Sequence, residues 1–84
     1  MTHELRLWPQ FRLALLDRSK RYELRKDDRG FAVEDTLVLE TWDPTTGDYV
    51  KWLNPLYFRV TSILRSGEMP GLEPGYVILG LGPA

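Results

Sequence analysis

Lys20, Glu23 and Arg25 have types and a spacing that suit recognition of an anionic ligand. Glu23 and Arg25 lie two residues apart, so on a strand their side chains leave from the same face. A carboxylate that accepts hydrogen bonds from a base, beside cations that contact phosphate, can recognise an unpaired nucleotide. The same residues can instead form surface ion pairs that contribute at most about 1 kcal/mol. The spacing leaves both interpretations open.

A basic segment surrounds these residues. Residues 1–30 hold eight Lys or Arg against five Asp or Glu, a formal +3, whereas residues 31–84 hold three against seven, a formal −4. This asymmetry indicates either an anionic partner or a solvated basic face. Arg29 follows Asp27 and Asp28, so it is a candidate phosphate contact that these acids could also neutralise.

His3 and Trp42 complete the candidate ligand-binding residues. His3 is the only histidine and lies on an alternating segment, which favours a partly buried side chain bonded to a neighbour over a catalyst or metal ligand. Trp42 and Tyr49 flank a predicted hairpin, where aromatic rings either stack on bases or pack across strands. The candidate ligand- or RNA-binding residues are therefore Lys20, Glu23, Arg25, Arg29, His3 and Trp42, and we expect no metal and no cofactor.

The composition predicts a single domain spanning residues 1–84. The chain has no cysteine, which excludes disulfides, thiolate zinc sites and a cysteine nucleophile and favours a reducing cytoplasm. No apolar run is long enough for a membrane span, and charged residues interrupt the first twenty positions, which argues against a signal peptide. We expect a monomer or a weak homodimer with no membrane partner.

Hydrophobic periodicity predicts the elements that must position the candidate residues. A three-turn helix over residues 9–17 should begin at Pro9 and pack Trp8 and Phe11 into the core. Alternation and β-forming residues predict strands at 3–7, 22–26, 36–42, 57–64 and 75–80. We also expect a return strand at 49–52, a bulge or edge position at Pro55, and a frayed end at 82–84. The predicted class is α+β: a curled sheet or β-barrel of five to six mainly antiparallel strands closed by one N-terminal helix.

Three stretches carry a resemblance to a known family. They are the opening His3-Glu-Leu5 strand that runs into a helix, the segment 20–29, and the segment 31–39. The second is similar to the pattern G-x-K-x-x-E-x-R and the third to F-x-V-G-D-x-L, which are typical of the ASCH group of the PUA-like superfamily. The chain resembles its small phage and bacterial branch of unknown function. Arg18 and Glu34 stand where these patterns have glycine.

The resemblance implies a PUA-like β-barrel flanked by a helix, with residues 20–29 lining a cleft between the two. Such folds are associated with RNA or modified nucleosides, so we expect an RNA- or nucleotide-binding module. One alternative is a small nucleoside amidohydrolase in which Lys20 is a general base or charge stabiliser and Glu23 a proton shuttle. Hydrolytic relatives pair the lysine with a Ser or Thr hydroxyl, for which only Ser19 is near. The other is a phage-type accessory protein that binds a protein or sequesters a nucleotide.

Catalysis is the weaker expectation because cations beside Glu23 favour its charged form, which opposes a role as a general acid or base at neutral pH. Only strong burial of Glu23 would reverse this argument. We expect no such burial, because Arg21, Arg25 and Lys26 flank Glu23 on its strand.

Overall fold

The structure, a computed structural model, describes residues 1–84 as one mixed β-sheet with a short helical segment. The strands are β1 (Thr2–Leu7), β2 (Tyr22–Lys26), β3 (Thr36–Asp43), β4 (Asp48–Tyr49), β5 (Leu56–Arg65) and β6 (Tyr76–Pro83). The only α-helix, α1 (Arg12–Leu16), follows a 3-10 turn at Pro9–Phe11, and a second 3-10 turn spans Ser66–Glu68. No helix is both long and apolar enough to cross a membrane.

The sheet has the strand order β1-β3-β5-β6-β2, and β4 pairs with β3 outside this path. β1 runs parallel to β3, and the other pairings are antiparallel, as the sequence predicts for a mainly antiparallel sheet. β1 and β2 are the two edge strands, so the sheet is not closed into a barrel. The α+β class is confirmed, but α1 does not close a barrel end.

Arginine side chains join the two edge strands. Arg25 Nη2 on β2 donates to the carbonyl oxygen of Arg6 on β1 at 2.6 Å, and Arg29 Nη1 donates to the carbonyl oxygen of Glu4 at 3.0 Å. The sheet therefore curls far enough to bring its edges together, and guanidinium groups contact backbone acceptors that a neighbouring strand would otherwise satisfy.

Alternating apolar residues of the strands form the core on the inner face of this curled sheet. Fully or nearly fully buried side chains include Leu7, Leu15, Phe31, Leu37, Leu39, Val60, Val77 and Leu79. Only Leu15 comes from α1, and the neighbouring Leu13 and Leu16 are exposed. Because α1 buries so little apolar surface, tertiary packing cannot extend it to the predicted three turns.

Two predictions about the second half of the chain are wrong. The return strand after the hairpin is limited to Asp48–Tyr49, because the chain turns again where Leu53 N donates to Val50 O at 3.1 Å. Pro55 forms neither the predicted bulge nor an edge position, since it precedes β5, which lies between β3 and β6, and the register shift falls between Val60 and Ser62.

The end of the chain is paired rather than frayed. Gly82 lies opposite Arg59 and Pro83 opposite Phe58, so β6 continues beyond its predicted end at residue 80. Phe58 packs against the core, which explains why pairing persists here although proline cannot donate a backbone hydrogen bond.

Candidate functional site

Lys20, Glu23 and Arg25 converge at the start of β2. Glu23 Oε1 accepts a hydrogen bond from Lys20 Nζ at 2.5 Å, and Glu23 Oε2 accepts one from Arg25 Nε at 2.9 Å. Each carboxylate oxygen therefore contacts one cation. The sequence spacing correctly predicts that Glu23 and Arg25 share a face of β2, and Lys20 reaches the same carboxylate from the preceding turn.

The burial of Glu23 differs from the expectation. Only 5% of its side chain is exposed, against 15% for Lys20 and 22% for Arg25. Its neighbours Tyr22 and Leu24 face outward, so β2 turns its charged face toward the interior. A carboxylate can be buried in this position because two flanking cations offset its desolvation through charge-assisted hydrogen bonds.

A tight turn after α1 delivers Lys20 to this site. Arg18 adopts a φ of 67°, in the left-handed region that favours glycine, and the Lys20 N–H donates to Ala14 O at 2.9 Å. Ser19 Oγ contacts the same carbonyl oxygen at 3.4 Å. The Ser19 hydroxyl therefore contacts α1, and it makes no hydrogen bond with Glu23.

A cleft of about 660 Å³ opens beside the three charged residues. Trp8, Phe11 and Tyr22 line it, and their exposed fractions are 49%, 42% and 51%. The Lys20 Nζ lies 5.0 Å from the Phe11 ring centroid and 5.2 Å from that of Tyr22, within the range of cation–π attraction. The aromatic rings and charged groups thus form one mixed surface.

The expectation that Trp8 and Phe11 belong to the core is wrong. Both residues lie in or beside the 3-10 turn that precedes α1, and no residue of this turn is buried. Helical spacing identified them as a packing face, but the surface beside them is the polar face of β2. The available sequence signal for this cleft was Tyr22, an aromatic residue between the cations Lys20 and Arg25.

His3 lies in the core rather than in the cleft. Its Nε2 donates to Asp35 Oδ2 at 2.8 Å, and its ring meets Phe31 edge-on with centroids 4.7 Å apart. Asp35 also accepts hydrogen bonds from the Ala32 N–H and the Met1 amino group. These contacts, the bond from His3 first among them, lower the pKa of Asp35 to about 2. The prediction of a buried histidine bonded to a neighbour is confirmed, and its inclusion among the ligand-binding residues has no geometric support.

Arg29 and Trp42 lie outside the cleft lining. Arg29 joins the sheet edges as described above and approaches Asp28 at 3.9 Å. Trp42 packs edge-on against Tyr49, with centroids 5.0 Å apart, as cross-strand packing predicts. The guanidinium carbon of Arg6 lies 3.8 Å from the Trp42 ring centroid, and Arg6 lines the cleft. Trp42 therefore supports the cleft through Arg6.

No three His, Cys, Asp or Glu side chains converge in an arrangement that could hold a metal ion. Among the residues that line the cleft, the only hydroxyl is the phenol of Tyr22. The arrangement supplies cations, one carboxylate and aromatic faces, which are groups that bind and orient a ligand.

A comparison with curated proteins finds no match. The family model described as "Domain of unknown function (DUF3850)" matches residues 2–81. This range covers nearly the whole chain and includes every residue that lines the cleft, together with His3 and Asp35. The chain belongs to the DUF3850 family.

Proposed function

We propose that the protein is an RNA- or nucleotide-binding module of the PUA-like type, whose ligand occupies the cleft at Lys20, Glu23 and Arg25. The observation that carries this proposal is a buried carboxylate, held by two cations, at the base of a cleft with half-exposed aromatic walls. Such a site combines attraction for phosphate with a hydrogen-bond acceptor and stacking surfaces.

The aromatic walls favour a flat ligand. Trp8, Phe11 and Tyr22 each leave close to half of their surface open to solvent. A nucleobase stacked on such a face contributes about 1 to 3 kcal/mol, with little dependence on which base is bound. The walls therefore supply affinity for bases in general.

Glu23 supplies the means of discrimination. Each oxygen of an ionised carboxylate has two lone pairs. Lys20 Nζ donates to Oε1, whereas Arg25 Nε donates to Oε2 and Arg25 Nη2 also lies 2.8 Å from Oε2. The second lone pair of Oε1 can accept from the amino or imino group of a base edge. Because the carboxylate is already fixed, ligand binding does not need to order it.

The backbone supports a relationship with the ASCH group. Arg18 and Glu34 stand where its patterns have glycine, and they are the only non-glycine residues with positive φ, at 67° and 80°. The local conformations thus match those that the pattern glycines would favour. A sheet curled until its edges meet is also compatible with a PUA-like architecture.

The burial of Glu23 meets the condition that the sequence analysis set for the hydrolase alternative, but this alternative lacks a nucleophile. Both oxygens of Glu23 accept hydrogen bonds from cations, which fix the position of the carboxylate. Ser19 is turned toward α1, so no Ser or Thr hydroxyl accompanies Lys20. Binding without chemistry is therefore our proposal, and an accessory protein that sequesters a nucleotide would use the same site.

Equilibrium binding tests the proposal. Nucleoside monophosphates and short single-stranded RNAs are titrated into the wild type, Trp8→Ala, Lys20→Gln and the control Lys51→Gln, whose side chain is exposed outside the cleft. We expect Trp8→Ala to weaken binding about tenfold, in line with the loss of one stacking surface. Lys20→Gln should also make RNA binding less sensitive to salt. We expect the slope of log binding constant against log salt concentration to become shallower by about 0.7.

Equal effects of Lys20→Gln and Lys51→Gln on binding would indicate diffuse electrostatic attraction and contradict a defined site.

A second experiment tests for catalysis. Acylated and alkylated nucleosides are incubated with the same folded variants. Multiple-turnover conversion by the wild type that is abolished in Lys20→Gln would overturn binding without chemistry and favour the hydrolase.

A further inference from the structure

A second cavity adjoins the cleft across the turn formed by residues 18–22. It has a volume of about 470 Å³, and Lys20 lines both cavities. Its apolar wall includes Tyr57, Leu16 and Phe58, and Arg18 and Arg21 add to the positive charge of Lys20. We call this second space the turn cavity.

Two of the three cations in the turn, Arg18 and Arg21, lack acidic partners, whereas Lys20 pairs with Glu23. Arg21 Nε donates to the backbone oxygen of Arg18 at 3.2 Å, and neither Arg18 nor Arg21 forms an ion pair with a carboxylate. Both residues are exposed. Other arginines of the chain, such as Arg59 and Arg65, do pair with acids. The positive charges of Arg18 and Arg21 are therefore free to meet an external anion.

Aromatic rings lie on both sides of this charged turn. Tyr22 is 51% exposed in the cleft, and Tyr57 is 57% exposed in the turn cavity. The order along the surface is thus a stacking face, a cationic ridge and a second stacking face. Single-stranded nucleic acids present the same order, with two bases joined by a phosphodiester.

We infer that the ligand is a single-stranded nucleic acid of at least two nucleotides that crosses the turn at residues 18–22. One base occupies the cleft, the phosphodiester contacts Arg18 and Arg21, and the next base stacks on Tyr57 in the turn cavity. This inference rests on the proposed function, since it assigns the first base to the same cleft. A mononucleotide would use Lys20 and Arg25 and would leave the turn cavity empty.

The test compares ligands of different length. The probes are the four nucleoside monophosphates, a random-sequence RNA tetranucleotide and a DNA tetranucleotide of the same design. We expect the better tetranucleotide to bind at least about tenfold more tightly than any monophosphate, because it adds a stacked base and a phosphate contact. The RNA and DNA arms show whether a 2′-hydroxyl contributes, and a preference for either over monophosphates supports the inference.

Two variants locate the additional contacts. Arg21→Gln and Tyr57→Ala should weaken tetranucleotide binding about fivefold or more and leave monophosphate binding unchanged. Lys26→Gln is the matched control, because Lys26 is an exposed cation on β2 that lines neither cavity. Thermal unfolding of each variant confirms that the substitution leaves the fold intact.

The outcomes separate this inference from the proposed function. Monophosphates that bind as tightly as tetranucleotides, with Arg21→Gln and Tyr57→Ala neutral, would overturn the crossing ligand while the cleft remains a nucleotide site. An equal effect of Lys26→Gln and Arg21→Gln would also overturn it. Absence of binding by every probe would overturn the proposed function itself.

Discussion

The side chain of Arg25 reaches from one edge of the sheet to the other, where its Nη2 donates to the backbone oxygen of Arg6 at 2.6 Å. The Nε of the same guanidinium donates to Glu23 at 2.9 Å. The contact between the edge strands and the position of the buried carboxylate therefore depend on one planar group. Loss of its geometry should affect both the stability of the sheet and the shape of the cleft.

Arg25→Lys tests this dependence while keeping the positive charge. An ammonium is a single charged centre and cannot reproduce the fixed fork of a guanidinium, so one of the two contacts is lost. We expect the free energy of unfolding to fall by about 1 to 3 kcal/mol, the cost of losing a hydrogen bond to a buried charged group. Urea denaturation followed by circular dichroism measures this change.

Arg59→Lys is the control for Arg25→Lys. Arg59 pairs with Glu34, but 38% and 70% of these side chains are exposed. An exposed pair contributes little, so this variant should change stability by about 0.5 kcal/mol or less. Equal losses from the two substitutions would show that Arg25 is an ordinary surface cation.

Glu23 should be the most sensitive of the three charged residues. Glu23→Gln leaves Lys20 and Arg25 facing a neutral amide, and breaking a buried ion pair costs about 3 to 5 kcal/mol. Lys20→Gln should cost less, because the carboxylate then keeps Arg25. Urea denaturation of both single variants and of the Glu23→Gln, Lys20→Gln double variant measures the order and the coupling.

The double variant provides the internal check. If Lys20 and Glu23 interact as the structure indicates, their effects should be non-additive by about 1 kcal/mol or more. Additive effects, or a smaller loss for Glu23→Gln than for Lys20→Gln, would contradict a buried and doubly paired carboxylate.

The sequence predicts where β2 lies but not which way it faces. Alternation places a strand at residues 22–26, the observed bounds, because a period of two is a local property of the chain. Apolar Tyr22 and Leu24 favour the opposite orientation, with the charged residues outward. The observed orientation depends on Lys20 and Arg25, whose contacts with Glu23 offset the cost of burying its charge. These contacts form only in the folded protein, so the periodicity of the sequence does not reveal them.

Contacts between distant residues explain the other differences. His3 and Asp35 are separated by 32 positions, so their hydrogen bond has no local signature beyond the alternation around His3. Trp8 and Phe11 have a spacing typical of a buried helical face, yet the surface beside them is a polar cleft. Residue type and spacing single out these side chains, but contacts with residues distant in sequence decide whether each is buried or exposed.

At position 18, glycine should give a more stable protein than alanine. Its φ of 67° places a side-chain-bearing residue in the left-handed region, which costs about 1 to 2 kcal/mol. Arg18→Gly removes this strain, whereas Arg18→Ala removes the side chain and keeps the strain. We therefore expect Arg18→Gly to be more stable than Arg18→Ala by about 1 kcal/mol in urea denaturation.

The same comparison applies to Glu34, whose φ is 80°. Glu34→Gly should exceed Glu34→Ala in stability by a similar amount, since both substitutions remove the exposed ion pair with Arg59 equally. A glycine variant no more stable than its alanine counterpart at both positions would contradict the left-handed conformations.

Asp35 makes the stability of the protein depend on pH. Hydrogen bonds from His3, Met1 and Ala32 lower the pKa of Asp35 in the folded protein to about 2, from 3.8 in its ordinary range. Because the unfolded chain binds this proton more readily, the stabilisation is fully present above about pH 5 and is lost as the pH falls through 2. Asp35→Asn lacks the titrating group, and acids that titrate in both proteins cancel when the two are compared.

The measurement is the free energy of unfolding of wild type and Asp35→Asn in urea, at intervals from pH 5 down to pH 2. We expect the wild type to be more stable at pH 5 and its advantage to shrink steadily toward pH 2, where protonation weakens the contact with His3. The direction follows from a folded-state pKa below the unfolded value, so the advantage must fall as protons are added. A difference that stays constant across this range would show that Asp35 is not held as a carboxylate by His3 and its other donors.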